Sequence, residues 1–152
     1  MGNKSNKMNR DVATAMQKLK KECRELEMLF GSFCDEFVPS FLAAASTKPS
    51  NALESNYNTV QYGSKMVKDK LLKVYPLIDN TDTPLVTFEK FLKKKDADHK
   101  EDWTDLKKKS LQRHTAFVVQ ARSELANVAH QCMYIGNSLE DKLAFCSSKM
   151  SK

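Results

Sequence analysis

Apolar residues recur along this chain at steps of four and three, the spacing of the a and d positions in a heptad repeat. The first run is Val12, Met16, Leu19, Cys23, Leu26, Phe30, Phe33 and Phe37. The second is Leu53, Tyr57, Val60, Ser64, Val67, Leu71, Val74 and Ile78. The third is Phe117, Ala121, Leu125, Val128, Cys132, Ile135, Leu139, Leu143, Cys146 and Met150. Residues so spaced share one side of a helix, so each run, here called a seam, predicts a long helix that packs lengthwise on other helices.

The three seams predict an all-α fold, an elongated antiparallel helical bundle of three long helices plus one short helix. Residues 10–150 would form a single helical-bundle domain, and residues 1–9 a flexible basic N-terminus. The predicted helices cover residues 10–46, 51–76, 84–95 and 103–150.

Three prolines set the predicted helix boundaries. Pro39 should break or kink the first helix, because proline lacks a backbone N–H and its ring clashes with the preceding turn. The second helix should end before Pro76, since a residue that precedes proline is disfavoured in the α region. Residues 79–83 then read as a loop, and Pro84 suits the first position of a new short helix.

The stretch between Lys93 and Glu101 allows two interpretations. It carries almost no apolar residue, so the short helix either ends here or continues through a highly charged segment. In both cases the final helix would be roughly 70 Å long at 1.5 Å per residue, and longer than the others. A helix that overhangs its neighbours needs a partner, which predicts a homodimer or a complex with another helical protein.

Composition narrows the class of protein. The chain has 152 residues, of which 41% are hydrophobic and 29% charged, as expected of a soluble helical domain. No apolar run reaches the ~18–20 residues that span a bilayer, and the first residues contain no apolar signal-peptide core. The four cysteines lie on or beside the seams without C-x-x-C spacing, which favours buried thiols in a reducing, cytoplasmic setting.

Motifs of catalysis are absent from the sequence. It has no glycine-rich phosphate loop, no G-x-S-x-G, no H-E-x-x-H and no Glu three residues before a His. His114 stands between Leu106 and Phe117, where the third seam would place an apolar residue, and reads as a seam residue rather than a catalyst. The acidic residues between Asp96 and Asp105 lack the spacing of a calcium loop. We therefore expect no enzyme activity, no cofactor and no metal site.

Basic residues cluster near the N-terminus and around the predicted start of the last helix. The net charge is +6, and seven of the 25 Lys and Arg residues lie within the first 24 positions. Such asymmetry indicates an anionic partner, either a lipid surface or nucleic acid, although a solvated helix face would look the same. The candidate lipid-binding residues are Gly2, Lys4, Lys7, Arg10, Lys18, Lys20, Lys21, Lys93, Lys94, Lys95, Lys107, Lys108 and Lys109.

The first residues resemble an N-myristoylation signal. Gly2 would be the acceptor after removal of Met1, while Asn6 stands where Ser or Thr is usual and Ser5 lies one position early. One myristoyl chain binds a membrane only marginally, so a nearby basic patch is the usual second signal. The lysines that follow Gly2 would supply that patch.

The layout resembles BAR-type membrane-binding modules. The features that carry this resemblance are the three long seams, the proline at position 39, the segment Pro84–Leu92 before the last helix, and lysines near helix ends. It implies an antiparallel dimer of long, kinked helices whose basic faces bind anionic membranes. A compact four-helix bundle is the alternative architecture.

Together these observations predict a non-enzymatic, cytoplasmic, peripheral membrane-binding scaffold that uses a basic surface on anionic lipids. One alternative is a soluble adaptor whose apolar seams bind other helical proteins. Another, less favoured because aromatic residues do not interleave with the lysines, is a basic helical protein that binds nucleic acid.

Overall fold

Every regular element of the structure is helical. The computed structural model describes residues 2–47, 51–99 and 103–150. In these ranges the elements are α1 (Gly2–Ser32), a π-helical turn (Phe33–Phe37), α2 (Val38–Ala45), α3 (Leu53–His99) and α4 (Asp105–Met150). α2 continues α1 through the π-helical turn, and the three long helices pack antiparallel. The predicted all-α fold of three long antiparallel helices is confirmed.

The seams supply the buried side chains. Fully buried residues include Leu19 and Leu26 of the first seam, Val60 and Val67 of the second, and Ile135 of the third. At roughly 1.5–3 kcal/mol for each fully buried aliphatic side chain, this burial is the main force that holds the helices together. The periodicity of the sequence therefore located the core.

The predicted second and short helices are one helix. α3 runs through Pro76 and Pro84, so the predicted stop at Pro76, the loop at 79–83 and the separate helix at 84–95 are wrong. The break between Lys93 and Glu101 was the correct alternative, because α3 ends at His99 and α4 begins at Asp105.

Burial explains why α3 tolerates two prolines. Its seam continues beyond Val74 through Thr81, Leu85, Phe88 and Leu92, all of them buried. A proline inside a helix costs ~3 kcal/mol, less than the burial of these side chains contributes together. Threonine hydroxyls also donate hydrogen bonds to backbone carbonyls near the prolines, from Thr81 to Leu77 at 2.8 Å and from Thr83 to Asp79 at 3.1 Å.

This correction removes the reason for expecting an overhanging last helix. α3 has 47 residues and α4 has 46, so no length mismatch separates them. The homodimer stays a prediction, but the helix lengths no longer support it.

The first helix also departs from its expected bounds. α1 begins at Gly2 rather than near residues 9–12, so the helix includes most of the predicted flexible N-terminus. Just before Pro39 the helix widens into the π-helical turn, in which the Val38 N–H donates to the Phe33 carbonyl. The chain then stays helical through Pro39 to Ala45. A π-turn is a known way to absorb a residue that disrupts the regular hydrogen-bond pattern, and here it stands in place of a break.

The chain forms two compact units. Unit 1 comprises Met1–Lys20 and Tyr75–Ala129, and unit 2 comprises Lys21–Val74 and His130–Lys152. Each long helix contributes a segment to both. The single domain over residues 10–150 stays a prediction.

One helical stretch, Lys4–Ala45, is long enough and apolar enough to cross a membrane by length and composition alone. This differs from the expectation that no segment has these properties. Core helices of soluble proteins meet the same criterion, although only 17% of the most apolar window of this stretch is buried. Phe33 and Phe41 are among its fully buried residues. Asp35 and Glu36 also lie within it, and charged residues at mid-membrane depth are costly.

Candidate anion-binding site

The predicted lipid-binding residues fall almost entirely in unit 1. Lys21 is the exception and belongs to unit 2. Gly2 is the first residue of α1, and Lys20 is half-buried in an ion pair described below. Lys95 is half-buried, and the other lysines and Arg10 are exposed.

The start of α1 lies against the end of α3. The Lys95 ammonium donates to the Ser5 hydroxyl at 3.4 Å, and Ser5 is buried. The ammonium groups of Lys4 and Lys95 lie 5.2 and 5.8 Å from the centroid of the Phe91 ring. Cation–π attraction to one ring offsets part of the repulsion between the two lysines. Two basic segments distant in sequence therefore meet here.

The start of α4 reaches the same end of unit 1. Since α1 and α4 both pack antiparallel to α3, they run parallel to each other. Their register is given by the ion pair between Lys20 and Glu124 and by the cleft that Arg10 shares with Arg113. Residues 107–109 precede Arg113 by one to two turns, which places them level with the first residues of α1. We call Lys4, Lys7, Arg10, Lys93, Lys94, Lys95, Lys107, Lys108, Lys109 and Arg113 the basic end.

A cleft opens at the basic end between α1 and α4. Its volume is about 440 Å³, and the residues that line it are Asn6, Asn9, Arg10, Arg113 and His114. Asn6, Asn9 and Arg10 share one side of α1 because they are three and four residues apart. All five side chains can donate hydrogen bonds, and none of these lining residues is a carboxylate. Such a lining is suited to an anion.

His114 forms part of the floor of this cleft. Its ring meets the fully buried Phe88 edge-on, with centroids 5.6 Å apart. Burial, followed by the charges of Arg113 and Lys95, lowers the pKa of His114 below its usual 6.5. Its imidazole is therefore neutral at pH 7 and can donate one N–H. His114 is half-buried, as a seam position on α4 would be, and its lack of a catalytic role stays a prediction.

Elsewhere in unit 1, two cations, Arg122 and Lys20, are held by carboxylates. Arg122 of α4 donates to Asp82 and, at 2.6 Å, to Glu89, both on α3. These hydrogen bonds raise the pKa of Arg122. Lys20 donates to Glu124 at 3.0 Å. These pairs join helices and leave little charge for a ligand, so Lys20 is a poor member of a lipid-binding surface.

Unit 2 contains a cation held by two carboxylates, Lys70 with Glu22 and Glu25, here called the Lys70 cluster. The Lys70 ammonium donates to Glu22 and to Glu25, each at 2.7 Å, and its side chain is only 16% exposed. The bond from Lys70 is the main cause of the lowered pKa of Glu25, and the two carboxylates raise the pKa of Lys70. The cluster ties α1 to α3.

The cysteines are free thiols within the packing. Cys23 of α1 and Cys132 of α4 are buried in unit 2. Interaction between the two thiols lowers the pKa of Cys23 and, together with burial, raises that of Cys132. Burial raises the pKa of Cys34 and Cys146. In the part of the chain that the structure describes, no group of three His, Cys, Asp or Glu residues has the arrangement of a metal site.

An apolar groove lies between α1 and α3 in unit 2. Its volume is about 530 Å³, and its lining includes Met28, Leu29 and Met66. Met28 is 73% exposed, so the apolar part of this groove is open to solvent. The lining also contains Lys70, Glu25 and Asp69, so the groove is mixed in charge.

Sequence reasoning found the lysines of the basic end but missed the cleft. Arg113, Asn6 and Asn9 were not among the predicted lipid-binding residues. The cleft depends on the register between α1 and α4, which no local motif encodes. Comparisons with models of protein families, with curated proteins and with solved structures found no match to this chain.

Proposed function

We propose that the protein is a non-enzymatic helical scaffold that binds anionic membrane surfaces peripherally through the basic end. The observation that carries this proposal is the convergence of three basic segments, from the start of α1, the end of α3 and the start of α4. Together they bring ten Lys and Arg residues to one end of unit 1, where they outnumber the exposed carboxylates of Asp96, Asp98 and Asp105. A patch of this kind attracts anionic lipid with about 1 kcal/mol per basic residue near the surface.

The position of Gly2 supports the same proposal. Gly2 is the first residue of α1, the helix that contributes Lys4, Lys7 and Arg10 to the basic end. An acyl chain attached there would enter a membrane beside the lysines that bind its headgroups. Lipid and basic patch together give the two signals that stable peripheral binding requires.

The test is co-sedimentation with vesicles of phosphatidylcholine alone or mixed with phosphatidylserine. We expect binding only to the anionic vesicles. Replacing Lys107, Lys108 and Lys109 by Gln should weaken it by roughly 3 kcal/mol, about a hundredfold. Gly2→Ala, in protein made by a eukaryotic host, should further reduce binding, and the intact mass should show loss of Met1 and gain of an acyl chain.

The matched control replaces Lys65, Lys68 and Lys73 of unit 2 by Gln, which removes the same charge from exposed positions of α3. It should bind anionic vesicles nearly as well as the unaltered protein. Equal losses in the two triple variants, or no binding to anionic vesicles at moderate salt, would contradict the proposal. A duplex oligonucleotide serves as competitor, because a protein that prefers nucleic acid would leave the vesicles when it is added.

The exposed groove with Met28 supports a second candidate function, binding of another helical protein. An apolar groove between two helices is a common binding site for an amphipathic helix. Met28→Glu should abolish capture of such a partner while membrane binding stays intact. Loss of membrane binding in this variant would favour the groove over the basic end.

A further inference from the structure

We propose that the cleft between α1 and α4 is a specific site for a phosphomonoester dianion, which contacts Arg10, Arg113 and His114. This inference rests on the proposed function and adds a chemical preference to it. A phosphomonoester is found in some lipid headgroups and in soluble phosphorylated metabolites. Both present the same terminal group, a tetrahedral dianion with three free oxygens.

The donor set is the first argument. Arginine presents a planar fork of N–H donors that matches two phosphate oxygens, whereas lysine acts as a point charge. Most of the basic end consists of lysines, and its two arginines both line the cleft. Amide groups of Asn6 and Asn9 add neutral donors on the same side. A site made only for diffuse attraction to anionic lipid has no need of arginines and amides together.

The state of these arginines is the second argument. Arg122 and Lys70 each contact two carboxylates, whereas no carboxylate of the described residues lies within ion-pair distance of Arg10 or Arg113. Two arginines that face one cleft without an anion repel each other. A doubly charged ligand would relieve that repulsion, and a singly charged one would relieve less of it.

His114 provides a direct readout. Its neutral ring lies beside Arg10 and Arg113 in the cleft, Lys95 acts on it from α3, and Phe88 covers one edge. A bound dianion opposes the charges that now lower the pKa of His114, so binding should raise that pKa. Nuclear magnetic resonance of the His114 ring during a pH titration, with and without ligand, measures this change at the site itself.

The first arm of the experiment uses a soluble phosphomonoester, methyl phosphate, with sulfate at equal ionic strength as the comparison anion. Calorimetry should show saturable binding of methyl phosphate that Arg113→Gln weakens at least tenfold. Arg24→Gln is the matched control, because Arg24 is an exposed arginine of α1 outside the cleft. It should leave the affinity unchanged. Equal weakening in the two variants, equal binding of sulfate, or an unmoved pKa of His114 would overturn the inference.

The second arm uses vesicles matched for surface charge, one set with phosphatidic acid and one with phosphatidylserine. Phosphatidic acid carries a phosphomonoester, and phosphatidylserine does not. A preference for phosphatidic acid that Arg113→Gln removes identifies a lipid headgroup as the source. Binding of methyl phosphate without that preference identifies a soluble ligand. Equal binding to both vesicle types, together with no binding of methyl phosphate, overturns this inference and leaves the proposed function standing. Binding of methyl phosphate without any vesicle binding contradicts the proposed function and leaves this inference standing.

Discussion

The basic end of unit 1 and the Lys70 cluster of unit 2 use the same kind of side chain for opposite purposes. The Lys70 ammonium lies 2.7 Å from each of two carboxylates, and these ion pairs join α3 to α1. Arg10 and Arg113 face a cleft whose lining holds no carboxylate. Cations in the first setting should matter to folding, and those in the second to binding. The following predictions test this division, from the largest expected effect to the smallest.

The packed core of unit 2 should show the largest effect. Phe33 is fully buried at the start of the π-helical turn, so Phe33→Asp removes its packing and buries a charge. We expect the free energy of unfolding to fall by roughly 4 kcal/mol or more, measured by urea denaturation. Met28→Asp, on the same helix but 73% exposed, should change it by less than about 0.5 kcal/mol. Similar effects of the two changes would mean that the first seam is not the core of unit 2.

A close helix approach in unit 2 should give the next effect. A Cβ atom at Gly63 would lie 2.5 Å from the Phe37 ring, whereas one at Gly31 would meet nothing within 4 Å. We expect Gly63→Ala to destabilise the protein by about 1–2 kcal/mol because the ring must move. Gly31→Ala should stabilise it by roughly 0.5–1 kcal/mol through helix propensity. Thermal melts of both variants decide this, and a stabilising Gly63→Ala would show that α3 and the π-helical turn pack more loosely.

The comparison of cations is tested directly by Lys70→Gln against Arg10→Gln. The first should lower the Tm by a few degrees at pH 7, since Glu22 and Glu25 then repel each other, and the second should leave the Tm unchanged. The lowered pKa of Glu25 means that its contribution is present above its usual value of 4.5 and is lost as the pH falls below it. The Tm difference between Lys70→Gln and the unaltered protein should therefore shrink at pH 3. A pH-independent difference would contradict an ionic role for the cluster.

The smallest effect should come from His114. Its pKa is lowered in the folded protein, so below the usual 6.5 the unfolded chain binds more protons than the folded one. Stability should therefore be intact above pH 6.5 and decline as the pH falls through that value. His114→Gln should flatten this part of the pH profile, and a saturating phosphomonoester should flatten it too. An identical slope in the variant would assign the decline to other groups.

The seams could be read from the sequence because burial on a helix repeats with a fixed period. Val12, Leu26, Val67 and Ile135 were identified as core residues on spacing alone, and all are buried. The predicted helix end at Pro76 was wrong, because it considered only the local backbone preference of proline. It left out the buried side chains that α3 carries on both sides of Pro76. The sequence shows the lysines of the basic end as separate clusters. It does not show that these clusters meet at one end of unit 1.

The sequence by itself determined the helical class and the core-facing side of each helix. It also determined the excess of positive charge near the N-terminus and around the start of the last helix. Those properties depend on neighbours within a few turns, which periodicity records. The tertiary structure decided that α3 is one helix, that Lys70 and Arg122 are held by carboxylates, and that Arg10 and Arg113 line one cleft. These outcomes depend on the register between helices distant in sequence, set by the summed packing of whole seams rather than by any local motif.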